Sequence, residues 1–120
     1  MKTKYSIELR RDYLYFTITG EYDRREFFLH AELLSRECQK EKISKILVNA
    51  LQMSGTDLTT MERYLVGEKI AEMFPTIKLA VAWPEKDIDK FAETVATNRG
   101  GFIQVMPDVE SAEKWLLMRV

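Results

Sequence analysis

The chain has 120 residues, 46% hydrophobic and 31% charged, with a formal net charge of -1. That size suits one domain around one core, and the balance argues against disorder. It also argues against a nucleic-acid binder, because phosphate contacts need a basic excess that this chain lacks.

The clusters Lys2–Lys4, Arg10–Arg11 and Lys40–Lys45 are broken by acids or apolar residues and read as solvated surface. No stretch approaches the ~20 apolar residues that cross a bilayer, so no stable membrane insertion is expected. Met1-Lys2-Thr3-Lys4-Tyr5 leads straight into alternating residues, without a signal-peptide core. One cysteine, Cys38, allows no internal disulfide and fits a reducing compartment. The cytoplasm is the expected location.

Positions 4–10 alternate, with Tyr5, Ile7 and Leu9 on one face, which predicts a half-buried strand. Residues 13–19 are aromatic and β-branched and predict a second strand, paired with the first as a hairpin that Gly20 closes. Asp23 and Glu26 form a capping box ahead of a helix running to about Lys40, with Phe27, Ala31, Leu34 and Cys38 on one face. Lys45–Asn49 reads as a buried strand, followed by a polar loop over Leu51–Leu58. Thr59 and Glu62 repeat the capping box before a second helix that ends near Phe74-Pro75.

Ile77–Trp83 is another buried strand, ended by Pro84. Asp87–Asn98 predicts a third helix with Ile88, Phe91, Ala92 and Val95 on one face, stopped by Gly100 and Gly101. Phe102–Met106 is the last strand, and Pro107-Asp108 opens a final helix carrying Val109, Ala112, Trp115 and Leu116. The predicted order is β-β-α-β-α-β-α-β-α. That is an α/β fold with a mainly parallel sheet of about five strands and an antiparallel first strand.

In such a sheet, ligands bind beyond the carboxyl ends of the strands. Gly20–Asp23, Asn49–Thr60, Trp83-Pro84 and Pro107-Asp108 reach that edge. The second is the longest connection, and long connections tend to carry function. On the following helix, Arg63, Val66, Gly67, Ile70, Met73 and Phe74 share an inner stripe, where Gly67 permits close approach. Arg63 could pair with an acid or a bound anion; the plainer reading packs its stem and snorkels its head. Met61 and Leu65 fall on the outer side and suggest a protein contact, although isolated surface apolar residues are common.

Catalytic constellations are poor. His30 is the only histidine and reads as surface or boundary packing. No ligand cluster points to a metal, and no motif points to a cofactor. Cys38 reads as a small buried thiol. Ser54-Gly55 lacks the pattern of a nucleophile elbow. Asp87 and Asp89 read as acids at a helix start, where the dipole favours them.

The segment Ile46-Leu47-Val48-Asn49, the loop to Thr60 and then Met61-Glu62-Arg63-Tyr64-Leu65-Val66-Gly67-Glu68 resembles the STAS fold. More closely it resembles the STAS/SEC14-like branch related to bacterial anti-sigma-factor antagonists. Lys78–Trp83, Phe91–Gly100 and Glu110–Leu116 extend the resemblance over most of the chain. The resemblance implies a non-catalytic interaction module. In the antagonists a serine or threonine at the start of the helix after the third strand is phosphorylated, which switches binding off. The matching place is Asp57-Leu58-Thr59-Thr60. Leu58 stands where the serine is expected and no glycine follows, so Thr59 or Thr60 would serve only in a shifted register. Thr59 is more simply a helix cap.

Three readings follow. A regulatory module would meet an unidentified protein partner through Ser54, Asp57, Thr59, Thr60, Met61 and Leu65, on loop 51–60 and the next helix. It calls for an exposed apolar patch at Met61 and Leu65 and no deep pocket. A small-molecule or lipid binder of SEC14-like kind would take a small apolar ligand in a pocket at the strand ends. That pocket would be lined by Tyr22, Asn49, Gln52, Met53, Arg63 and Trp83. An enzyme would need titratable groups within reach of one another, which no spacing supplies. A homo-oligomer suits any of the three.

Overall fold

The computed structural model describes residues 2–118. Its strands are β1 (Thr3–Leu9), β2 (Leu14–Glu21), β3 (Lys45–Ser54), β4 (Lys78–Ala82) and β5 (Phe102–Met106). Its helices are α1 (Arg24–Glu41), α2 (Thr60–Met73), α3 (Phe91–Asn98) and α4 (Val109–Leu117). The strands form one mixed sheet in the order β1-β2-β3-β4-β5, with β1 antiparallel to β2 and the remaining pairs parallel.

Sequential order has a consequence. Each parallel crossover moves one strand in the same direction, and crossovers are right-handed. α1, α2 and α3 therefore share one face, and their core joins Leu14, Phe16 and Ile18 of β2 to Ile46, Ala50, Leu79 and Ile103. α4 follows β5 and covers the opposite face, where Ala112 and Leu116 pack on Tyr13, Leu47 and Ala80. Small residues bring α4 close to the sheet, whereas α1 and α2 ride farther out.

Three local features depart from expectation. First, β3 continues to Ser54, so the loop before α2 shortens to 55–59. A bulge sets the end of that strand: β2 advances from Thr17 to Thr19 while β3 advances from Asn49 to Gln52. The Leu51 N–H at the bulge is taken up by Asn49 Oδ1 at 3.2 Å.

Second, α3 begins at Phe91, not Asp87, and a short 3-10 turn occupies Glu85–Asp87. The Asp87 carboxylate is drawn away to the Thr56 hydroxyl at 2.6 Å, and Lys90 adopts a left-handed backbone with φ of 65° before the helix can start.

Third, both capping boxes are half boxes. Asp23 and Thr59 accept the Glu26 and Glu62 N–H groups as expected. The two glutamates do not reach back. Glu26 binds the backbone N–H groups of Thr3, the first residue of β1, and of Lys2 just before it, and Glu62 takes Arg24 and Tyr22. Tertiary donors win because a buried or half-buried carboxylate gains more from charge-assisted bonds than from an exposed local one.

Gly67 meets the expectation set for it. A Cβ there would lie 2.4 Å from the Ala92 carbonyl oxygen and 2.8 Å from Val95 Cβ, so α2 and α3 touch only because the side chain is missing. Overpacking costs about 1–3 kcal/mol, and the helix-propensity gain returns about 1 kcal/mol. Gly67→Ala is therefore expected to lower stability by up to about 2 kcal/mol in urea unfolding, although it improves helix propensity.

Candidate functional site

The carboxyl ends of β2, β3 and β4 meet the starts of α1, α2 and α3 at one edge of the sheet. Beneath that edge, between the sheet and the α1–α3 layer, lies a cavity of about 130 Å³. Its wall is mostly apolar, with Phe16, Val48, Val66, Ile70, Val81 and Val105 among the lining residues. It exists because the helix layer rides high over a sheet face of medium-sized side chains.

Of the expected pocket residues, Tyr22, Met53, Arg63 and Trp83 line this cavity. Asn49 and Gln52 do not. Asn49 lies on the α4 face of the sheet, where its amide donates to the Tyr15 hydroxyl at 3.0 Å. Gln52 is exposed. The bulge explains the swap: regular alternation from Ile46 through Val48 and Ala50 would turn residue 52 inward, and the extra residue turns Met53 inward instead.

The roof over the cavity is tied together. Arg63 is 7% exposed, so its charge must be answered inside the protein. Its Nε–H donates to the Leu58 carbonyl at 2.9 Å. The Asp89 carboxylate lies 2.9 Å from the same nitrogen as an ion pair, and Asp57 lies farther off at 3.9 Å. Trp83 Nε1–H donates to the Thr56 carbonyl at 3.3 Å, and the Thr56 hydroxyl donates to Asp87. Residues 55–59 and 85–90 are thus pinned to each other and to α2. The snorkelling reading of Arg63 gives way to the paired one. Asp87 and Asp89 serve this roof; only Asp89 also caps α3 locally, through the Phe91 N–H at 3.0 Å.

A second tie joins α2 to the β2–α1 connection. Glu62 accepts from Arg24 Nε at 2.9 Å and from the Tyr22 hydroxyl at 3.0 Å. The Arg24 bond, helped by Tyr22 and opposed by burial, holds the Glu62 carboxyl below its usual range. Burial and the Glu62 contact push the Tyr22 phenol well above its ordinary value.

The proposed partner-contact residues fall on the outside of this roof. Ser54, Thr59 and Thr60 are exposed, the Asp57 side chain is 91% exposed and Met61 is 63% exposed. Leu65 is half-buried, because it lies between the outer face and the packed stripe of α2. The Thr59 hydroxyl is occupied as the cap, accepting the Glu62 N–H at 3.1 Å.

Two polar residues along the cavity wall escaped the sequence reading. His30 is 5% exposed, not a surface residue, and neither ring nitrogen has a hydrogen-bond partner among the described residues. Its ring packs on Tyr5 and Phe16. On α3, Glu93 pairs one carboxylate oxygen with Lys90 at 3.2 Å, and the other is buried without a partner. Cys38 is buried as expected, with its thiol pushed up to about 11 by burial, which suits packing and not nucleophilic attack.

No protein-family model and no curated protein matches this sequence. Solved structures do. An anti-sigma factor antagonist from Mycobacterium paratuberculosis superposes with a TM-score of 0.63 at 8% identity, covering 95% of this chain and 93% of that one. The fold is STAS-like. An uncharacterised Shewanella loihica protein described as having a SpoIIAA-like fold superposes with a TM-score of 0.55 at 21% identity, over 95% and 93% of the two chains. The expected α/β architecture and the STAS-like resemblance both hold. Among the described residues, no helix is long and apolar enough to cross a membrane.

Burial pushes the His30 pKa below its ordinary value, against an opposing pull from Glu26. The unfolded chain then binds the proton more readily than the folded one. Stability is expected to fall as pH drops below about 6.5, the ordinary histidine value, until the folded imidazole also protonates. The shifted carboxylates act only at lower pH. Urea unfolding between pH 7.5 and 5 should show this slope, and His30→Phe should flatten it.

Proposed function

We propose that this chain is a non-catalytic regulatory module that docks a protein partner through the β3–α2 connection and the first turn of α2. On this reading it works in the cytoplasm as a single STAS-like domain. The observation that carries the proposal is the contrast across the roof. Its outer side presents Asp57, Thr59, Thr60 and Met61 to solvent, while its inner side is fixed by the buried Arg63 cluster. A fixed surface loses little conformational entropy on binding, so contacts made by these side chains convert efficiently into affinity.

Met61 supplies an unbranched apolar side chain that can fill an irregular socket. Asp57 sets the charge, because Arg63 answers it only at 3.9 Å and the carboxylate faces solvent. The partner should therefore offer an apolar socket beside a basic group. Leu65 and Ser54 would frame the contact. The fold of the antagonist structure is consistent with this role, as is the burial of Cys38.

The test is affinity purification of the tagged protein from its own cells, followed by mass spectrometry. A protein companion at stoichiometric level is expected. Met61→Asp and Asp57→Lys, each still folded by circular dichroism, should cut its recovery by roughly tenfold or more, as loss of a central interface anchor does. A companion retained by both variants would place the contact elsewhere, and no companion at all would end the docking reading.

A further inference from the structure

We propose that this chain forms a two-fold dimer in which β1 pairs antiparallel with β1 of a second copy, centred on Ser6, so that the sheet runs on across the axis. This goes beyond partner docking and stands without it, because the β1 edge lies on the far side of β2 from the β3–α2 connection.

β1 is an edge strand, and its free side can be read from the hairpin. The Arg10 N–H donates to the Tyr13 carbonyl at 2.9 Å, and the Glu21 N–H donates to the Lys2 carbonyl at 3.3 Å. With the regular register between them, those bonds mark the even-numbered residues of the strand as the ones bonded to β2. The N–H and C=O groups of Thr3, Tyr5, Ile7 and Leu9 therefore point outward. Glu26 already accepts the Thr3 N–H at 3.1 Å. Tyr5, Ile7 and Leu9 present the open donors and acceptors, with no proline, glycine or bulge to blunt the edge.

Charge selects the register. Centring on Ser6 sets Lys4 opposite Glu8 of the second copy, and again by symmetry, in the type of pair whose side chains stand closest. Tyr5 and Ile7 then exchange main-chain bonds with Ile7 and Tyr5 of the second copy. Glu8 faces Arg10 of its own chain at 3.2 Å, but its side chain is 62% exposed and can take a second cation. Sliding the strands to centre on Ile7 would set Lys4 against Arg10, a like-charge pair. Sliding them to centre on Tyr5 would need the Thr3 N–H that Glu26 holds.

Apolar side chains stand uncovered at the same edge. Tyr5 and Leu9 pair with Ile18 and Leu14, so they lie on the α1 face of the sheet, yet they are 48% and 53% exposed. Leu29 on α1 is also exposed. Helical spacing puts Leu33 beside Glu26 and His30, which touch β1, and away from Phe28 and Glu32, which meet Lys69 of α2. A two-fold axis normal to the sheet keeps both α1 helices on one face. Leu29 and Leu33 of the two copies then close over Tyr5 and Leu9.

Sedimentation equilibrium of the full chain at low salt should show a concentration-dependent dimer. Lys4→Glu and Glu8→Lys, both at exposed positions, should each weaken it by roughly tenfold, because either change turns attractive pairs into repulsive ones. The double variant should restore it. Ser6→Cys should form a disulfide-linked dimer on oxidation, since residue 6 faces itself across the axis at a Cα separation of about 4.5 Å, within disulfide range. Lys4→Cys, off the axis, should not, and the buried Cys38 does not compete. A chain that stays monomeric to millimolar concentration would leave the edge to a strand from another protein and overturn the proposal. So would a dimer indifferent to the charge changes, a double variant without rescue, or equal cross-linking of the two cysteine variants.

Discussion

A buried guanidinium cannot be neutralised by losing its proton, so every structure that buries one must bring acceptors to it. Arg63 is buried at the junction of two connections that are distant in sequence, and it draws both inward. Leu58 supplies a carbonyl from the β3–α2 connection and Asp89 supplies a carboxylate from the β4–α3 connection. Thr56, Asp87 and Trp83 then add hydrogen bonds between the same two segments. The roof of the cavity, the setting of Met61 and Asp57, and the late start of α3 all depend on that pairing. A lysine could supply the charge but not the planar set of donors.

The topology provides what the roof covers. In doubly wound sheets the strand order reverses and leaves a crevice for ligands. This sheet runs β1 to β5 without reversal, so α1, α2 and α3 lie side by side on one face. The cavity is then not between halves of the sheet but between the sheet and that helix layer. On the opposite face alanines let α4 settle closely on the strands. The two faces thus differ in packing for reasons visible in side-chain size. The docking reading called for no deep pocket, so the cavity beneath the roof was not anticipated by it.

Periodicity was enough for the strands, the helices and the antiparallel start, because each has an apolar face of the right repeat. Thr59, Asp23, Gly67 and Cys38 behave as their local chemistry implies. What local chemistry does not encode is the partner of a charged side chain. Glu26, Glu62, Arg63 and Asp87 all look like helix-end residues in sequence, yet each is satisfied from another element. The bulge after Asn49 carries no glycine or proline to announce it, and its single extra residue moved Met53 into the cavity in place of Gln52. His30 stood alone in the sequence and so looked unimportant. Its burial becomes visible only when β1 and β2 are laid against α1.

Native-state hydrogen exchange on Arg63→Met would show whether the buried guanidinium holds the roof. Methionine keeps much of the apolar stem while removing the charge and the donors. The Asp87 and Ile88 amides bond to Pro84 and Glu85 within the pinned segment, and the Tyr22 amide bonds to Ser54 at the neighbouring strand end. The account predicts that Asp87 and Ile88 lose protection by local opening, that Tyr22 loses less, and that Leu47 and Val48 in the sheet centre keep theirs. Unchanged protection at Asp87 and Ile88, or an equal loss at all of these amides, would contradict it.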